Sequence, residues 1–470
     1  MKGQSAVVLG VVCVCLWLAL SSQSAMADGE GQSLALDLPT AIARALQENP
    51  DLKAKRQALG VAQGRVQQAE LLFQENPHLS VDTDFRNRSY THPAGRSGAD
   101  VEVRLLQEIE IAGQRGYRRE AASAQFAQAE ASVADAERML RREVARSFYD
   151  LLALQEVILV RQEVLATQEA LLQAGLTRFD RGDISILELD TLRLDRDRTR
   201  SDLISQEEEQ VGKEQQFRLL LGVGEQFPLT LVGNIESMAS DPARSAPSLT
   251  QETLEACALE HRPDVKAARL ALEAREAELR LAHARKIPNI SLGPLYKLDN
   301  EDQVIGGALS IPLPFFNRNQ HEITAAMANL QVDRTALEAR TLAVKHEVAA
   351  ALARLQLSVR QLASYGTTYL SNLTESMAYA RKAYEAGELS IFEFSVTLDR
   401  LVNTRLRYLD ALLAYRYATL ELDAQSGFQC VDTERIDTQG QQNREERGEQ
   451  RNSSASSATP HGVARRVVER

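Results

Sequence analysis

The chain has 470 residues, 44% of them hydrophobic but only 5% aromatic, and a formal charge of −11. This is too apolar for a disordered chain, too polar for a bundle of membrane-spanning helices, and too acidic for a nucleic-acid binder. Abundant Ala, Leu, Gln, Glu and Arg point instead to long helices, and the few aromatics offer little from which to build an enzyme core.

Residues 1–27 read as a signal peptide. Lys2 is the sole charge before Asp28, an apolar run covers 6–20, and Ala25-Met26-Ala27 fits a small-x-small cleavage site. The run is too short for a stable anchor. Val12 and Val14 precede Cys13 and Cys15 where a lipoprotein signal needs a small residue, so lipidation is not expected. The mature chain keeps Cys257 and Cys430. They are expected as two unrelated buried thiols; pairing in an oxidising compartment is the alternative.

An internal repeat organises the rest. Asn49-Pro50-Asp51-Leu52-Lys53-Ala54 returns as Arg262-Pro263-Asp264-Val265-Lys266-Ala267. Gly182-Asp183-Ile184-Ser185-Ile186-Leu187-Glu188 returns as Gly387-Glu388-Leu389-Ser390-Ile391-Phe392-Glu393. Each half opens with a helix, capped by Thr40 or Thr250 and interrupted at the proline. Those helices run to about 73 and 285. A β-hairpin follows. Leu79, Val81, Thr83 and Phe85 alternate with polar residues, as do Val101, Val103 and Leu105, and 290–298 with 305–311 forms the second-half counterpart.

Long helices come next, over 115–180 and 318–386, each roughly 100 Å. Val144, Leu151, Ile158, Leu165 and Leu172 recur every seven residues, the period of a left-handed supercoil. Return helices run over 184–221 and 389–425, with Gly182 and Gly387 at the turns. The first repeat therefore spans 28–222, with its β-hairpin at 78–111 and its long helical hairpin at 115–221. A linker covers 223–248. The second repeat spans 249–427, with its β-hairpin at 288–313 and its helical hairpin at 318–425. The tail, 428–470, lacks periodicity and is expected to be disordered.

The fold class is mainly α with a small β part. Four strands cannot close a barrel, and open edges are prohibited in lipid. The strands therefore belong to an oligomer in the outer membrane, or else cover one end of a non-spanning helical scaffold.

Across about residues 34–427 the sequence resembles the TolC-like outer-membrane efflux channels. The carriers are the duplicated Asn/Arg-Pro-Asp helices and the patterns Phe179-x-x-Gly182-x-x-Ser185-x-x-Glu188 and Tyr384-x-x-Gly387-x-x-Ser390-x-x-Glu393. The resemblance implies a homotrimer, with a twelve-stranded β-barrel in the outer membrane of a Gram-negative bacterium and a long α-barrel in the periplasm. It implies a periplasmic adaptor and an inner-membrane pump as partners, with outer-membrane lipid around the barrel and no nucleic acid. Gln107-x-Ile109-Glu110-x-x-Gly113-Gln114-Arg115 is similar to the heavy-metal (CzcC-like) branch, which implies metal-cation cargo. Drugs or other organic toxicants are the competing cargo, and a periplasmic scaffold or adaptor is the competing class.

No catalytic constellation is present. His346-Glu347 lacks the second His of a zinc protease, and Gly212-Lys213 lacks the glycine of a phosphate loop. No cofactor or resident metal is expected, and the chain is read as a non-enzyme. The resemblance places Glu188, Glu393, Tyr384 and Phe179 at a periplasmic gate, and Gly182, Asp183, Gly387 and Glu388 at adaptor-docking tips. Three-fold rings of Glu188 and Glu393 would attract cations and raise their own pKa values.

Overall fold

The computed structural model describes residues 34–86, 98–225, 227, 229–235, 250–299, 302–366 and 368–428. The segment expected to be a signal peptide, residues 87–97 of the first hairpin loop and the tail after 428 fall outside them.

The two halves are built alike. The first holds β1 (Leu34–Leu36), α1 (Leu38–Glu48), α2 (Pro50–Glu70), β2 (His78–Arg86), β3 (Gly98–Ile109), α3 (Gln114–Asp180) and α4 (Ile186–Leu221). After β4 (Leu229–Leu231) come α5 (Gln251–His261), α6 (Pro263–Ala284), β5 (Ile290–Asp299), β6 (Asp302–Ser310), α7 (Gln320–Ala363), α8 (Tyr369–Glu385) and α9 (Ile391–Ser426). α3 is the spine, packing on α1, α2, α4, α6 and α9. Its 67 residues are matched by α1, α2 and α4 stacked end to end, with 11, 21 and 36. Val144, Leu151, Ile158 and Leu172 of the heptad seam are buried on it.

Four expectations need correction. The second long helix is not continuous over 318–386. It breaks between α7 and α8, where Gly366 takes φ +71° and is followed by two β-branched threonines, both poor helix formers. Tyr365, Tyr369 and Tyr408 pack around the break with ring centroids 4.8–5.3 Å apart. The cap of α1 is Asp37, which accepts from the Thr40 amide at 3.0 Å, so Thr40 is not the cap. Thr250 does cap α5. The 223–248 segment is not wholly linker, since β4 pairs in parallel with β1. Finally, Cys257 is disulfide-bonded, against the reading of separate thiols; Cys430 lies outside the described residues.

Pro50 and Pro263 divide their helices, and each break is tied to the end of the return helix of its own half. Asn49 accepts from the Leu52 amide and donates to the Leu220 carbonyl, both at 3.0 Å. At the equivalent place Arg262, 1% exposed, donates to the Gln425 carbonyl at 3.2 Å and its side chain at 2.8 Å. Arg262 also pairs with Asp264 and Glu347, each at 2.8 Å, and Arg340 pairs with the same two carboxylates. Burial alone would raise the Asp264 pKa. Hydrogen bonds from Arg262 and Arg340, and their charges, outweigh it and hold the carboxyl well below its ordinary value.

The main sheet is antiparallel in the order β2-β3-β5-β6. Register sorts most of its side chains, with Thr83, Gln107 and Gln303 falling on the apolar face and Leu106, Leu295 and Val304 on the polar one. One face carries Leu79, Val81 and Phe85, then Val101, Val103 and Leu105, then Tyr296, Leu292, Ile305 and Leu309. Phe85 and Ile305 are 85% and 83% exposed, so this apolar face is bare in a single chain. The other face carries Asp82, Asp84, Asp100, Glu102, Arg104, Lys297, Asp299 and Asp302.

Candidate functional site

The tips are built from local rules. At the end of α3 the chain reverses at Gly182, φ +80°, whose amide donates to Phe179 while the Asp183 amide donates to Arg178. Ser185 then opens α4 with a capping box. The Glu188 amide donates to the Ser185 hydroxyl at 3.3 Å, and the Ser185 amide donates to the Glu188 carboxylate at 2.7 Å. The second tip repeats this with Gly387 (φ +77°), Ser390 and Glu393, at 3.2 and 2.9 Å. Asp183 and Glu388 stand exposed beside the two glycines.

The Gly-x-x-Ser-x-x-Glu pattern is thus a turn followed by a helix cap. The cap acts on the carboxyl pKa values of the single chain in the opposite direction to that expected of three-fold rings. The Ser185 and Ser390 backbone amides, then their hydroxyls, hold the Glu188 and Glu393 carboxyls below the ordinary value in the single chain.

Tyr384 and its repeat counterpart Phe179, the aromatic pair expected at a gate, differ in their surroundings. Tyr384 stacks on Phe394 at 5.1 Å, and Arg178 of the first hairpin lies over its ring at 5.5 Å. Its hydroxyl is buried without a hydrogen-bond partner among the described residues. Its repeat counterpart Phe179 is 37% exposed and forms no such stack among the described residues. Two contacts missed in the sequence also join the hairpins. Ser395 donates to Asp195 at 2.5 Å. Gly175 is buried where a Cβ would lie 2.7 Å from Leu192 and 3.6 Å from Ile391. A glycine inside a long helix rather than beyond its end was the available signal for that close approach.

On the polar face of the sheet, register sets acids against acids. Asp82 pairs with Glu102, Asp84 with Asp100, and Asp299 with Asp302. Like charges directly opposite are unfavourable, and basic side chains on the same face offset part of the repulsion. Arg104 pairs with Glu102 and Asp82, and Lys297 with Asp299 at 3.6 Å.

The junction motif holds the helices to the sheet. Gly113 takes φ +76°, and buried Gln114 donates to Asn289 at 3.1 Å and accepts from the Ala112 amide at 2.7 Å. Gln107 donates to the Glu75 carbonyl, Arg115 to the Glu70 carbonyl, and Glu110 pairs with Arg118. The second half copies the device, with Asn319 at φ +59° and Gln320 accepting from the Arg318 amide at 2.8 Å. The polar groups of the junction motif bond both backbone carbonyls and neighbouring side chains. Among the described residues no group of three or more His, Cys, Asp or Glu could hold a metal, and no helix is long and apolar enough to cross a membrane.

The pattern of the family described as outer membrane efflux protein matches residues 41–223 and 256–427. The cobalt-zinc-cadmium resistance protein CzcC of Cupriavidus metallidurans is 26% identical over 392 residues, covering 82% of this chain and 88% of that protein. Among solved structures, CusC superposes with a TM-score of 0.66 at 22% identity, covering 86% of this chain and 95% of that one. VceC of Vibrio cholerae gives 0.64 at 19%, covering 83% and 96%, and CmeC of Campylobacter jejuni gives 0.68 at 15%, covering 86% and 90%. These matches set aside a non-spanning scaffold, and place the sheet in the outer membrane with the long helices in the periplasm. The chain belongs to the outer membrane efflux protein family and is the outer-membrane channel component of an efflux system.

Proposed function

We propose that three copies close a twelve-stranded barrel continuous with an α-helical barrel, and that this duct passively exports metal cations. An inner-membrane pump and a periplasmic adaptor deliver the cargo. The observation that carries the cargo class is the likeness to a cobalt-zinc-cadmium resistance protein over most of both chains. The acid-against-acid pairs on the polar sheet face support it, because three copies would line a wet lumen with carboxylates. A conduit needs only weak attraction, so no tight cation site is required. In this reading Glu188, Glu393, Tyr384 and Phe179 surround the periplasmic gate. Gly182, Asp183, Gly387 and Glu388 form the tips that meet the adaptor.

The test is a deletion strain challenged with cobalt, zinc and cadmium salts and, separately, with organic toxicants. Metal sensitivity that the intact gene reverses supports the assignment. Unchanged metal tolerance with new sensitivity to organic compounds would transfer the duct to that cargo.

A further inference from the structure

α9 packs on both α3 and α7, and one side of it floors a groove of about 760 Å³ between them. Ala414 and Ala418, one turn apart, are too small to fill the space above that floor. Arg142 and Arg146 line the α3 wall, and Arg354 and Leu357 the α7 wall. Each pair follows helical spacing, so each wall presents its two side chains together. The volume is that of a small-molecule pocket.

Three arginines meet two glutamates in this groove, and the pairing is incomplete. Arg142 pairs with Glu421 at 3.2 Å, and Glu421 also accepts from Gln425 at 2.6 Å. Arg146 and Arg354, both exposed, form no hydrogen bond or salt bridge among the described residues, with Glu143 or any other acid. Asp150, the next acid along α3, pairs with Lys213 at 3.8 Å. Arg146 lies instead over the Tyr417 ring, 4.9 Å from its centroid. The Tyr417 hydroxyl is buried without a hydrogen-bond partner among the described residues, which is costly for a polar group. The groove thus sets two unpaired guanidinium groups and an unpaired hydroxyl beside an apolar wall, where Leu357 is 58% exposed.

We propose that this groove binds a small amphipathic carboxylate. The carboxylate group is held by Arg146 and Arg354, since guanidinium groups favour planar, charge-assisted pairing with it. The Tyr417 hydroxyl is a third donor. The apolar body of the ligand lies over Ala414 and Ala418 and against Leu357. A purely inorganic anion would leave that apolar surface wet, which favours an organic ligand. Two unpaired guanidinium groups repel metal cations, so this is a second class of ligand, and its site does not depend on the cargo proposed above.

The probe is 4-fluorobenzoate, added to the full-length protein in phosphatidylcholine nanodiscs and followed by fluorine NMR linewidth, with empty nanodiscs as the lipid background. The wild type should broaden the signal saturably. Arg354→Gln and Tyr417→Phe each remove one hydrogen bond to a charged group and should weaken binding about tenfold. 4-Fluorobenzamide, of the same shape but uncharged, should bind about tenfold more weakly than the carboxylate. Arg193→Gln, which removes an exposed arginine of α4 paired with Asp190, should leave binding unchanged. Equal binding of the two probes, or broadening that survives Arg354→Gln, overturns the carboxylate site. Absence of saturable broadening in the wild type would mean that a second copy covers the groove or that it holds only water, and overturns the site as well. A metal assignment that failed in the sensitivity assay would leave this measurement unaffected.

Discussion

The two halves meet the same mechanical problem with different chemistry. In each, a proline splits the first helix, and the residue before it must tie the break to the last turn of the return helix. Asn49 does so with one neutral amide reaching Leu220. Arg262 does so with a buried cation, and a buried cation needs counter-charges, which Asp264 and Glu347 supply. The long helices diverge too. α3 is unbroken, whereas its counterpart splits into α7 and α8. Duplication thus preserved the geometry while the side chains that enforce it drifted. The second half has become the more electrostatic and the more segmented of the two.

The largest expected effect separates the two ties. Arg262→Ala removes both bonds to Gln425 and one of the two cations paired with Asp264 and Glu347, Arg340 remaining with both, and should cost about 3 kcal/mol, the low end for a broken buried pair. Asn49→Ala removes a cap and one hydrogen bond, and should cost about 1–2 kcal/mol. Thermal unfolding of both variants in detergent, followed by circular dichroism, ranks them. Equal losses would mean that the charged network contributes no more than the neutral one.

A smaller effect follows from pH. The folded-state pKa of Asp264 is depressed, so its stabilisation is complete above the ordinary carboxylate value of about 3.9 and is lost as pH falls below it towards the folded value. Acidification should loosen α6 and α7 before α1 and α2. Hydrogen exchange, corrected for intrinsic rates, should show that order in the wild type and lose it in Asp264→Asn. Simultaneous loosening of both halves would place the acid-sensitive contacts elsewhere.

What could be read in the sequence follows from how local each signal is. The proline breaks and the strand alternation depend on neighbours within a few residues, and they lie where the spacing put them. The break at Gly366 escaped because apolar periodicity continues on both sides of it. β1 and β4 are three residues each, too short to show a period of two. Arg262 could not be recognised as a buried tie because Gln425, its acceptor, lies 163 residues away. The junction motif was legible as a family signature, but its job of holding backbone groups needed the fold.

The tips pose the sharpest question, because the residues placed at the gate are also helix caps. Glu188 and Glu393 each accept from a serine amide and hydroxyl through one carboxylate oxygen. Replacement by lysine would destroy cap and charge together. Gln at the same position keeps the capping box and removes only the charge. Glu188→Gln and Glu393→Gln should therefore cost only the small contribution of a charge at a helix N-terminus. If the carboxylates act as rings at the gate, Glu393→Gln should lower cation preference in planar bilayers under a potassium chloride gradient. Glu188→Gln should do so less, because Glu188 is half-buried while Glu393 is exposed. The capping bonds lower both pKa values in the single chain while a three-fold ring would raise them, so a wild-type conductance that changes between pH 7 and about 5 would show that ring repulsion prevails, and a flat one that the caps do. A reversal potential unmoved by either substitution would leave the two glutamates as caps alone, and would shift the search for a cation filter to the acidic pairs inside the sheet.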